Sequence, residues 1–101
     1  MNELLNQRLS EINKLRALND NDLNETLDVY TASLMKLHEL SRQGNALKVR
    51  IENGSLGPFP GEILMRGCLA AYEAEIDNAE CLKLLVESRA RRLFGHTGFQ
   101  A

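Results

Sequence analysis

Tryptophan is absent from this chain and the other aromatics are scarce, with two tyrosines and three phenylalanines among 101 residues. Strands of a compact β-sandwich draw on aromatic and β-branched side chains, so a core left to Leu, Ile, Val, Met and Ala is expected to be helical. Proline is nearly absent as well: its two copies, Pro58 and Pro60, sit together in mid-chain. Cysteine is limited to Cys68 and Cys81, thirteen residues apart on one predicted helix. That is about 20 Å at 1.5 Å per residue, too far for a disulfide within the chain. No apolar run approaches the ~18 residues of a membrane span, and no charged-then-apolar leader opens the sequence. Neither a span nor a signal peptide is therefore expected, and the cytoplasm is the default compartment. A strong excess of one charge is lacking too: the formal net charge of -2 is too small for a DNA mimic and of the wrong sign for a general nucleic-acid binder.

What is there has the composition of an ordinary folded domain, 26% charged and 44% hydrophobic, at a length that suits one domain. The fold expected over residues 1–101 is all-α, with helix one over about 2–18, helix two over about 20–53, a turn at 54–60, helix three over about 60–94 and a tail at 95–101. Helices two and three are expected to form a long antiparallel hairpin. In helix one Leu4, Leu5, Leu9, Ile12, Leu15 and Leu18 share one half of a helical wheel. Asn19, Asp20, Asn21 and Asp22 follow, short polar residues whose side chains bond to nearby backbone and favour caps and turns. With Asn19 as N-cap, Leu18 and Leu23 fill the hydrophobic-staple positions; with Asp22 as N-cap, Glu25 completes a capping box. Asp20, Asp22 and Asn24 also have the spacing that opens a calcium loop. Glu25 stands where that loop needs glycine and Thr31 where it needs a bidentate acid, so capping is the expected role.

Helix two carries Leu23, Leu27, Tyr30, Leu34, Leu37, Leu40, Leu47 and Ile51 on one face. The set after Gly44 keeps the phase of the set before it, so the helix is expected to run through Gly44, with or without a bend there, using glycine for close helix approach. Residues 53–61 hold both prolines and three of the seven glycines and form the one clear break, with Pro60 suited to the first turn of helix three. Phe59, held between the prolines, is expected to plug the end of the bundle; the alternative is an exposed contact for a partner. Gly95 suits the end of helix three, and Arg89, Arg91 and Arg92 lie in its last turns, where positive charge opposes the helix dipole.

Helix three organises the rest because it carries two apolar seams. Met65, Leu69, Tyr72, Ile76, Ala79, Lys83, Val86, Ala90 and Leu93 make a heptad-like series with one charged interruption; Ile63, Gly67, Ala70, Ala74, Cys81 and Leu85 make a second, offset by about half a turn. The charged strip of Glu62, Arg66, Glu73, Asp77, Glu80, Glu87 and Arg91 is the expected solvent side, with Glu62–Arg66 and Glu87–Arg91 at the favourable spacing of four. One seam is expected to meet helix two and the other helix one or a second subunit, closest at the small residues Gly67, Ala70, Ala71 and Ala74. A hairpin of two helices near 45 Å long is too thin to enclose a core, and the short helix one covers only part of it. A homo-oligomeric bundle, most simply a dimer, is the expected outcome, with Met65, Leu69, Tyr72, Ile76, Gly67, Ala70, Ala74 and Leu85 as candidate oligomer or partner contacts.

Chemistry-bearing residues are sparse. His38 and His96 are the only histidines, and neither they nor the cysteines have a second ligand at three or four residues, so no metal, no cofactor and no catalytic group is expected. Glu73, Asp77 and Glu80 are expected to be a solvated face. Gly54, Gly57 and Gly61 lack the Lys-Ser or Lys-Thr of a phosphate loop. A helix-turn-helix chain near this length is similar in outline to the small secreted WXG-type proteins, yet the turn here reads Leu56, Gly57, Pro58, Phe59, so the resemblance ends at its specific motif. The expected function is a non-enzymatic protein-protein interaction module, a small cytoplasmic adaptor, chaperone or inhibitor acting through helix surfaces. The alternatives are a nucleic-acid-associated regulator using Arg89, Arg91 and Arg92, with His96 and Phe99 beyond them, and a small-ligand site at an oligomer interface around Tyr30, His38 or Tyr72.

Overall fold

The computed structural model describes residues 2–94. Three helices, α1 (Asn2–Arg16), α2 (Asn21–Glu52) and α3 (Pro58–Phe94), make up nearly all of this span, and no strand occurs among the described residues. The all-α expectation holds; the expected tail, with Gly95, His96 and Phe99, lies outside the described residues.

α1 stops two residues earlier than its apolar pattern predicts. The Ala17, Leu18 and Asn19 amides turn back to the Lys14, Leu15 and Arg16 carbonyls, a tighter winding that closes the last turn. Asn19 then adopts φ 59°, the left-handed conformation that asparagine tolerates. Because Asn19 makes the reversal, neither it nor Asp22 caps α2. Asp20 does: its backbone is extended, and its Oδ2 accepts the Leu23 amide at 2.9 Å. α2 continues unbroken through Gly44. A Cβ at Gly44 would stand 3.7 Å from the Cys68 sulfur, an ordinary contact, so the packing there does not require glycine.

The break between α2 and α3 is shorter than predicted. Gly54 takes φ 79° just past the end of α2, and the Leu56 amide returns to the Arg50 carbonyl at 3.1 Å. Pro58, not Pro60, opens α3, since the Gly61 amide already bonds to the Gly57 carbonyl at 2.9 Å. This earlier start overturns the plug expectation for Phe59. The residue is lifted out of the loop into the first turn of α3, where it is 74% exposed. Half-buried Leu56 lies against Gly61 instead, and a Cβ on Gly61 would come within 2.6 Å of Ile51 Cγ1, so here the close approach does need glycine.

α2 and α3 pack closely along their length, rising numbers on one meeting falling numbers on the other: Asp20 meets Arg89, Ser33 meets Glu75, Leu40 meets Cys68 and Ile51 meets Gly61. α1 packs against α2. The core gathers where the three meet: Ile12 and Leu15 of α1, Leu23, Leu27 and Tyr30 of α2, and Ala79, Val86 and Ala90 of α3 are buried, with Leu9, Leu18, Leu34, Leu37 and Leu82 packed around them. Each large apolar side chain taken from water there contributes on the order of 1.5–3 kcal/mol. The molecule measures 56 × 21 × 20 Å, and its turn-side half consists of α2 and α3 alone.

Candidate functional site

The two seams of α3 have different fates. The first lies against α2: Ala79, Val86 and Ala90 are buried, and Met65, Tyr72 and Ile76 are half-buried within the chain, while Leu69 at the seam's edge and Leu93 near the helix end are exposed. The second has no cover in the single chain. Ile63 is 56% exposed and Leu85 59%, and Gly67, Ala70, Ala74 and Cys81 between them are exposed too, as are Leu64 and Ala71 alongside. Helix one, one of the two expected covers, is therefore not on this face. Nothing packs at Gly67, where an added Cβ would meet no atom within 4 Å.

Between the seams, at three residues from Tyr72 and four from Ala79, Glu75 points to α2 and is 9% exposed. Its Oε2 accepts from the Ser33 hydroxyl at 2.6 Å and the Asn78 amide at 2.8 Å, and its Oε1 lies 3.3 Å from the Lys36 ammonium. These donors, the Ser33 hydroxyl foremost, outweigh burial and hold the Glu75 carboxyl below its ordinary value. Through these contacts Glu75 ties α3 to α2. Periodicity of apolar residues does not reveal Glu75; the available signal was a charged residue at core spacing, and its partner Ser33 is 42 residues away.

A second polar clasp closes the α1 end. Arg89 Nε donates to Asp20 Oδ2 at 2.9 Å and Nη2 donates to Oδ1 at 3.0 Å, with Asp22 3.7 Å away. The Arg89 guanidinium, then the Leu23 amide, hold the Asp20 carboxyl low, and Asp20 in turn raises Arg89. Of the three arginines read as a nucleic-acid contact, Arg89 is thus engaged within the fold, and Arg91 and Arg92 are exposed.

Two clefts meet at Tyr72. One, of about 140 Å³, is lined by Leu4, Leu5, Arg8, Leu34, Leu37, His38 and Tyr72. The other, of about 280 Å³, is lined by Leu40, Ser41, Gly44, Met65, Cys68, Leu69 and Tyr72. His38 Nδ1 is buried without a partner. His38 and Tyr72 therefore come together within one chain, whereas Tyr30 goes to the core, where burial pushes its hydroxyl up. Both cysteines are free, and Cys68 Sγ donates to the Leu40 carbonyl at 3.4 Å. Among the described residues no three His, Cys, Asp or Glu side chains gather as a metal site, and no helix is long and apolar enough to cross a membrane. No protein-family model, curated protein or solved structure matches this chain.

Proposed function

We propose that this chain is a non-enzymatic protein-protein interaction module of the cytoplasm, an adaptor, chaperone or inhibitor. In this reading α2 and α3 form an antiparallel hairpin that first self-associates into a helical bundle and then offers its remaining helix surfaces to another protein. The observation that carries it is the outer face of α3: from Ile63 to Leu85 the second seam is uncharged and exposed. Contiguous apolar surface of this kind marks association sites, since covering it recovers free energy in proportion to the area removed from water. The walls of the two clefts that meet at Tyr72, with exposed Leu4 and Leu69 at their rims, are the surface left for a different protein. Sedimentation equilibrium at micromolar concentration tests the first step: a mass above 11.3 kDa supports it, and a strict monomer throughout the range removes it.

A second reading, small-ligand binding, is favoured by one observation, the partnerless buried His38 Nδ1 beside an apolar cleft that also holds Arg8 and Tyr72. A thermal-shift screen with small apolar carboxylates tests this reading; a stabilisation lost in His38→Ala would support it, and no shift with any of them would count against it.

A further inference from the structure

We infer that two copies of this chain exchange α1. The corner between α1 and α2 opens at Asn19, residues 2–52 become one helix, and each α1 takes on the second copy the place it holds on its own α2 in the single chain. The surface used is the α1–α2 contact already described, so the exchange is independent of the outer face of α3 and of any association there. The corner is short: α1 ends at Arg16 and α2 begins at Asn21. One residue in it, Asn19, is left-handed at φ 59°, a conformation that an L residue adopts at a cost. Short hinges under strain invite exchange of the element they carry. Neither glycine nor proline occurs before Gly44, so the two strongest helix breakers are absent from the corner and from both helices beside it. An unbroken helix also gives the first amides of α2 the carbonyls one turn back that a helix start lacks.

Apolar phase runs through the corner. Counted at 100° per residue as though the helix were unbroken, Leu5, Leu9, Ile12 and Leu15 point on average within about 20° of the mean direction of Leu23, Leu27, Tyr30, Leu34 and Leu37. A straight helix over 2–52 therefore keeps both apolar sets on one side, as it must if α1 is to face the second copy where α2 faces it too. Register agrees with direction. Leu5 and Leu37 line one cleft, and Arg16 Nη2 lies 2.8 Å from Asp28 Oδ1. In sequence the first pair is centred on Asn21 and the second on Asp22. Two such helices crossing antiparallel at a two-fold axis beside Asn21 and Asp22 bring Leu5 to Leu37, and Arg16 to Asp28, of the second copy. The axis thus falls within one helical turn of the residue that opens. Because the α1 contacts are the same in both forms, the corner and the cost of association decide between them. Asn19 and the helix start favour the exchanged pair. Asp20, which accepts the Leu23 amide and the Arg89 guanidinium, favours the single chain, as does dilution.

Two substitutions at the hinge and one cross-link test the exchange. Glycine takes the left-handed conformation freely and disfavours a helix, whereas alanine does the reverse. Asn19→Ala should therefore dimerise more tightly than Asn19→Gly, by about tenfold for each of the two hinges and roughly a hundredfold in dissociation constant, with helical circular dichroism retained in both. The cross-link is made in the background Cys68→Ser and Cys81→Ser, with Arg16→Cys and Asp28→Cys joined by a short bismaleimide. Dilute protein should give the link within one chain and run at 11.3 kDa on a denaturing gel. Protein first incubated at a concentration where sedimentation shows a dimer should give a covalent dimer, and adding Asn19→Ala should increase its share. A sedimenting dimer that yields only the monomer band overturns the exchange while leaving self-association through another face standing. Equal dissociation constants for Asn19→Ala and Asn19→Gly, or an Asn19→Ala variant that is monomeric at every concentration, overturn it as well.

Discussion

At the scale of single residues, the Ser33–Glu75 contact fixes how α2 and α3 sit on each other. Sliding one helix by a turn would strand the carboxylate among apolar side chains, where an unmatched charge is costly. Ser33→Ala removes the shortest of its hydrogen bonds and should lower stability by about 1–3 kcal/mol, read from urea unfolding. Glu75 and Asp20 both hold their carboxyls below the ordinary range in the fold, so over that interval the unfolded chain binds more protons than the native one. Their stabilising contribution is complete above the ordinary carboxylate range and is lost as pH falls through about 4 toward the lowered native values. Thermal melts at neutral pH and near pH 3 should show this loss, and Glu75→Gln should show less of it than the parent. Two glycines give a paired expectation. Gly61→Ala must displace Ile51 and should destabilise the chain, whereas Gly44→Ala has room and should stabilise α2 by about 0.5–1 kcal/mol through lower unfolded-state freedom. The sequence places close approach at Gly44, whereas it occurs at Gly61, because the difference is the distance to a side chain on another helix. Glu75 was hidden for a related reason: its role depends on a hydroxyl supplied by α2.

At the scale of elements, apolar phase was enough to read three helices and the unbroken passage of α2 through Gly44, since Leu47 and Ile51 beyond Gly44 share one side of a single wheel with Leu23, Leu27, Tyr30, Leu34 and Leu37, which do end on the packed side. Boundaries were less legible. Asn19, Asp20 and Asp22 are chemically near-equivalent caps, and the choice fell to Asp20 because Asn19 turns left-handed and Arg89 reaches Asp20 from α3. Pro58 and Pro60 are likewise equivalent as first-turn residues. The choice of Pro58 decided the position of Phe59. Both seams of α3 read as apolar, yet one is enclosed and one is not. Leu27→Ala, in the enclosed core, should cost about 2–5 kcal/mol of unfolding free energy. Leu85→Ala should change the single chain's stability by less than about 0.5 kcal/mol and weaken association instead. Comparing chemical unfolding at low protein concentration with sedimentation separates the two effects.

At the scale of the whole molecule, α1 with 15 residues is less than half as long as α2 with 32, so the fully buried apolar side chains all belong to the half it covers. The turn-side half, closed by Gly61 on Ile51, has two helices and no third. Backbone amides of residues about 40–70 should therefore exchange with solvent faster than those about 20–34 and 79–90, by local opening that leaves the α1 end intact. Equal protection at both ends in hydrogen-exchange measurements would contradict this gradient. A second copy lying along the outer face of α3 would span both halves and bind only the closed form of each, which links opening to protein concentration through mass action. The lopsided core then has a kinetic meaning: in dilute solution the turn end is the point where unfolding and proteolysis begin, and crowding copies together would move that weak point elsewhere without altering a single contact inside the chain.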